Sequence, residues 1–223
     1  MKFFDELRLA TRDEALKLQS TPQIVDALHG RISRQAYVDY LAQAYHHVSH
    51  TVPLMKATKA CLDDAHSHFR TALDEYIEEE TGHEEWILDD IAAAGGDAES
   101  VRHSKPNEAT ELMVAFAYDQ VQRGNPMSFF GMVYVLEGTS IQLADMGAKS
   151  VQTSLGLPPA AFRYLTSHGA LDIEHMAFFE NLMNEVTSMD DQVAIIHMAK
   201  RMFGLFAGVF ASIHNEAGAV HAS

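Results

Sequence analysis

The stretch EEETGHEEWILDDIAAAGGD, residues 78–97, decides how this chain reads. It is the second half of a helical pattern that starts near Ala65, runs to about Ala94 and stops at Gly95-Gly96-Asp97, residues that suit a helix C-terminus. Inside it, Glu80 and His83 stand at i and i+3, so both side chains are expected on one helix face.

Working outward, helical periodicity continues on both sides, with neither sustained alternation nor an Asn-Gly hairpin turn to suggest strands. Upstream, one helix is expected from Phe3 to Gln19 and a short piece around Ile24–Leu28. After Gly30, Ser33 caps a long helix to about Ala60, which Pro53 should kink or divide. Downstream, the loop Glu99–Asn107 leads to a helix ending near Arg123. Gly124-Asn125-Pro126 then starts another, Met127 to Leu155, followed by Pro159–Val186, with Gly169 as a point of bending, and by Asp191–His214. The tail Asn215–Ser223 reads as a frayed end. Seven helices with short connections make an all-α bundle, one domain over residues 1–223.

The 223 residues carry 16 basic and 31 acidic side chains, a net charge of −15 with histidine neutral. So acidic a surface repels phosphate backbones and anionic lipid, and neither nucleic acid nor membrane is expected as a partner. Cys61 is the only cysteine; it excludes an intramolecular disulfide, disfavours a thiolate metal site and reads as an inert small residue. The start, MKFFDELRLATRDE, has no signal-peptide pattern. The richest apolar segments, Phe129–Leu136 and Met202–Ile213, fall short of the roughly 20 residues a membrane span needs. A cytoplasmic location is the expectation.

Thirteen histidines are present, and their placement carries the chemistry. HGALDIEH, residues 168–175, repeats the carboxylate-x-x-His spacing in Asp172 and His175, with His168 four residues earlier. All three share a stripe if Gly169 leaves the helix intact. Glu137 lies in the apolar stretch FFGMVYVLEGTS, where a buried carboxylate calls for a partner and a cation is the most effective one. Glu80, His83, Glu137, His168, Asp172 and His175 supply three carboxylates and three imidazoles, a set that suits iron or manganese and, less well, zinc. Against this, a lone E-x-x-H is ordinarily a solvated face, and Glu137 could pair with an arginine. His46, His47 and His50 read as core or supporting residues, and His66, His68 and His103 as surface residues near helix ends. Phe129, Phe130, Met132, Tyr134, Met198 and Met202 are core packing that could also line an apolar pocket.

The order E-x-x-H, then Glu137-Gly138, then H-x-x-x-D-x-x-H resembles the heme-oxygenase-like diiron oxidases and oxygenases. That fold also houses the TenA-type thiaminases and the pyrroloquinoline-quinone biosynthesis oxidase. YLAQAYHHVSHTVPLM, residues 40–55, and residues 78–97 look like typical segments of this family. The resemblance implies two Fe(II) per chain, with Glu80 and His83 on one iron, Glu137 bridging or ligating, and His168, Asp172 and His175 completing the site. Glu79 or Glu84 could take the place of Glu80. It also implies O₂ activation and oxidation of a small organic substrate, in an apolar cavity between the helices at 127–155, 159–186 and 191–214. A homodimer is expected from apolar helix faces. The rival readings are a metal-free TenA-type hydrolase, for which Cys61 lies in the wrong region; heme oxygenase, for which the first helix lacks a histidine; and a non-enzymatic helical binding protein.

Overall fold

A computed structural model describes residues 1–215, with the side chains of residues 168–174 outside the description. Among the described residues there are twelve α-helices and no strand: α1 Phe3–Ala10, α2 Arg12–Gln19, α3 Pro22–Leu28, α4 Arg34–Val48, α5 Thr51–Cys61, α6 Ser67–Glu80, α7 His83–Ala93, α8 Ala98–Arg102, α9 Glu108–Arg123, α10 Phe129–Leu155, α11 Arg163–Asn184 and α12 Met189–Ala211. The expected all-α bundle is what the chain forms.

The larger helix count comes from three interruptions inside segments that read as continuous. Buried Thr11 turns its hydroxyl back to the Leu7 carbonyl at 2.8 Å and separates α1 from α2, a bond known to bend helices. Ser49 and His50 separate α4 from α5, so the break precedes Pro53, which sits in the first turn of α5 where its missing N–H costs little. Gly82, at φ +94°, separates α6 from α7. In the other direction, α11 is continuous through Gly169.

Helix α10, with 27 residues and therefore about 40 Å long, is the spine of the molecule. Its first half joins a large core that includes Leu7, Leu54, Phe69, Met113, Phe179 and Met202. Its second half joins a smaller core of α4 and α7 residues such as Tyr37, Leu41, Ile87 and Ile91, closed by Phe162. Helix α12 is long and apolar enough to cross a membrane by length and composition, with mean hydropathy 1.5, yet Ile195, Met198, Ala199 and Met202 are wholly buried in the large core. It crosses α10 closely at Gly131, where a Cβ would lie 2.3 Å from the Ile195 carbonyl oxygen.

Two carboxylates organise helix ends across the fold. Asp191, buried in the first turn of α12, accepts hydrogen bonds from Asn125 Nδ2 at 2.7 Å and His66 Nε2 at 3.0 Å. Asp191, and then Asp63 on the other ring nitrogen, hold the His66 pKa above the ordinary value against the effect of burial. Asp90 of α7 is fully buried and accepts from the backbone N–H groups of Arg163 (3.0 Å) and Tyr164 (2.8 Å), the first two residues of α11. It thus caps a helix that has no side-chain cap of its own.

Burial outweighs these bonds and pushes the Asp90 pKa from 3.8 up to about 6. The folded chain therefore keeps a proton that the unfolded chain has released, and the stability this group contributes falls as pH rises from about 4 to 6, then stays level. In urea unfolding, the stability of the wild type minus that of Asp90→Asn should decline over that window by up to about 3 kcal/mol, at 1.36 kcal/mol per pKa unit; a difference independent of pH contradicts the assignment. Gly131→Ala should force α10 from α12 and cost about 2 kcal/mol, seen as a melting point lower by about 4–8 °C.

Candidate metal centre

The centre is built on the junction of α6 and α7. Glu80 is the last residue of α6 and His83 the first of α7. The expectation that both lie on one continuous helix face is therefore corrected. The left-handed conformation at Gly82, which a residue with a Cβ adopts only under strain, turns the chain between them. Their side chains still meet, with His83 Nδ1 3.0 Å from Glu80 Oε2 and exposures of only 7% and 11%. On its other side His83 stacks on Trp86, ring centroids 3.9 Å apart, and the Arg163 guanidinium covers that indole at 4.4 Å. A cation over an indole face is favourable, and the stack fixes the imidazole between α7 and the start of α11.

The same last turn of α6 reaches α11 through Glu79. Glu79 Oε2 lies 2.8 Å from His175 Nε2, and the His175 ring meets Tyr76 edge-on at 5.8 Å. Adjacent glutamates thus hold two of the three candidate histidines, His83 and His175. Glu79 is 55% exposed on its side chain, whereas Glu80 is nearly buried and lines the internal cavity. Of the neighbouring carboxylates considered for the first ligand position, Glu80 is the one that faces inward.

Glu137 comes from the middle of α10 and lines the same cavity, with one carboxylate oxygen buried. The next residue, Gly138, comes close to Met176, the neighbour of His175. Glu80, His83, Glu137 and His175 are therefore drawn toward one region by α6, α7, α10 and α11. The expected ligands His168 and Asp172 lie outside the described side chains. Among the described residues, no group of three or more His, Asp, Glu or Cys side chains encloses a metal position. The donors nonetheless fit a hard or borderline cation: buried carboxylate oxygen, imidazole nitrogen and no thiolate. Cys61 is exposed at the end of α5.

The cavity, about 200 Å³, is lined mainly by apolar side chains of α3, α4, α10 and α12. The helices expected around it, at 127–155, 159–186 and 191–214, all contribute, α11 through Tyr164 and Leu165 among the described residues, and α3 and α4 join them. His47 also lines it and packs edge-on against Phe206 at 5.8 Å. His46 and His50 point elsewhere, to Ser104 (2.9 Å) and Tyr118 (3.2 Å), and burial lowers both pKa values. Sequence spacing could not separate His47 from these neighbours, because the difference depends on which partner helix each one meets.

Comparison with known proteins agrees with this architecture. A domain of unknown function with a heme oxygenase-like fold from Shewanella denitrificans OS217 superposes with a TM-score of 0.86 at 24% identity, covering 94% of this chain and 91% of that one. A TenA homolog from Pseudomonas syringae pv. tomato DC3000 gives 0.78 at 12% identity, with 95% and 91% covered. Heme oxygenase-1 from Synechocystis sp. PCC 6803, in complex with heme, gives 0.74 at 14% identity, with 94% and 91% covered. These likenesses show the heme-oxygenase-like fold. No curated protein matches the sequence. The family described as iron-containing redox enzyme matches residues 38–207, from α4 to α12, and the chain belongs to that family.

Proposed function

We propose that the protein is a non-heme diiron oxidase or oxygenase that uses O₂ to oxidise a small organic substrate in the cavity. The observation that carries this reading is the meeting of two inward carboxylates, Glu80 and Glu137, with a mostly apolar cavity, beside His83 and His175. Glu80, His83, Glu137, His168, Asp172 and His175 would hold two Fe(II); the donor chemistry suits iron, and the family is iron-containing. Bound ferrous iron supplies electrons and open coordination positions for O₂ reduction.

The protein's own part is positional and electrostatic. Glu80 and Glu137 bring negative charge to an apolar interior, where a cation is stabilised more than in water. The Glu80–His83 and Glu79–His175 contacts orient the two imidazoles. Apolar walls from Met132, Val133, Leu136 and Phe206 exclude water from the reacting substrate. The thiol-dependent hydrolase reading loses support, because exposed Cys61 does not line the cavity.

Protein loaded anaerobically with Fe(II) should bind two irons per chain and consume O₂. His175→Ala and Glu137→Gln should each lower iron affinity by about 10-fold or more and abolish consumption, with helical circular dichroism retained. Unchanged iron stoichiometry in both variants would overturn the assignment, as would a Soret band from stoichiometric hemin binding. Gly82→Ala strains the α6–α7 junction by about 1 kcal/mol and should weaken iron binding more than it lowers the melting point.

A further inference from the structure

The cavity has a second set of polar lining residues, none of them placed in the metal centre. Gln23 of α3 donates from Nε2 to the carbonyl oxygens of Ala211 (3.3 Å) and Ile213 (3.4 Å), at the C-terminal end of α12. Its Oε1 is buried and accepts no hydrogen bond. Tyr40 of α4 stacks on Phe210, the residue before Ala211, with centroids 5.5 Å apart and planes 16° apart. No hydrogen bond among the described residues engages the Tyr40 hydroxyl. Burial, with Asp90 adding to it, pushes the Tyr40 pKa far above the ordinary tyrosine value, so the group stays a phenol and a donor.

Tyr40 and Gln23 both line the cavity, and both are held at the same end of α12. They offer one donor and one acceptor to whatever lies between them. A buried acceptor left without a donor is unfavourable, so this end is built to receive a polar group. No lysine or arginine lines the cavity among the described residues. Arg31, on the loop after α3, is tied to Asp26 at 3.0 Å. An anionic group would meet the Gln23 carbonyl with no cation to balance it. A neutral group that accepts from Tyr40 and donates to Gln23 satisfies both.

We propose that the Tyr40–Gln23 pair binds the polar terminus of the substrate, which is an uncharged, largely hydrocarbon molecule ending in a hydroxyl or primary carboxamide. Its apolar body lies along Ile24, Leu28, Met132, Val133 and Phe206, with the part to be oxidised toward Glu80 and Glu137. The orientation rests on the oxidase reading above; the binding specificity does not.

The test is calorimetric titration of the full chain, both metal-free and iron-loaded, with n-octanol, octanamide and octanoate near neutral pH. The alcohol and the amide should bind about tenfold or more tightly than the carboxylate, as expected of a site built to exchange hydrogen bonds with its ligand. Tyr40→Phe, which keeps the stacking ring, and Gln23→Leu should each remove most of that preference while leaving iron stoichiometry and helical circular dichroism unchanged. Equal or tighter binding of octanoate overturns the proposal. So does binding indifferent to both substitutions, which would leave the pair to water, and so does absence of binding. Because affinity is also read on the metal-free chain and needs no O₂, failure here stays distinct from failure of the diiron assignment.

Discussion

Glu137 sits in the middle of α10, between Leu136 and Gly138, and one of its carboxylate oxygens is buried. Removing a carboxylate from water costs several kcal/mol unless charge or hydrogen bonds compensate it, and α10 surrounds this one with apolar Met132, Val133 and Leu136 and with the hydroxyl residues Thr139 and Ser140, none of which carries a charge. Charge compensation comes from other helices. The fold brings the end of α6, the start of α7 and the middle of α11 to this region, each carrying an acid or an imidazole. A cation held between them would turn an unfavourable burial into the reason for the arrangement.

What was legible in the sequence follows from how local each determinant is. Periodicity and breakers, among them Gly95-Gly96, Gly124-Asn125-Pro126 and Gly156-Leu157-Pro158, placed most helices, and Ser33 and Asn125 act locally where they stand. The three interruptions were harder. Thr11 and Ser49-His50 are ordinary helix residues whose effect depends on burial and partners. Gly82 carried a signal, since an isolated glycine in a helical pattern weakens it, but the acidic run around it masked the stop. Asp90 could not be read at all, because its role lies in two N–H groups more than seventy residues away.

The candidate site divides in the same way. Its residue types and spacings were visible, since carboxylate-x-x-His needs only the helical repeat. The preference for Glu80 over Glu79 was not, because adjacent residues on α6 differ only in which side of the helix end meets the cavity. The same holds for His47 against His46, and for Tyr40 and Gln23, which no spacing connects. Such pairs arise where α3, α4 and α12 converge, and convergence is a property of packing.

Helix α7 ties these levels together. Its first residue, His83, touches Glu80 and stacks on Trp86 under Arg163. Two turns later Asp90 caps the N-terminus of α11 at Arg163 and Tyr164. One 11-residue helix thus fixes both the imidazole of the centre and the origin of the helix that carries His175. A rigid element with two such anchors transmits any shift at one to the other, since close-packed interiors do not deform continuously. Residues that carry no candidate ligand atom, Asp90 and Trp86 above all, therefore belong to the construction of the candidate centre.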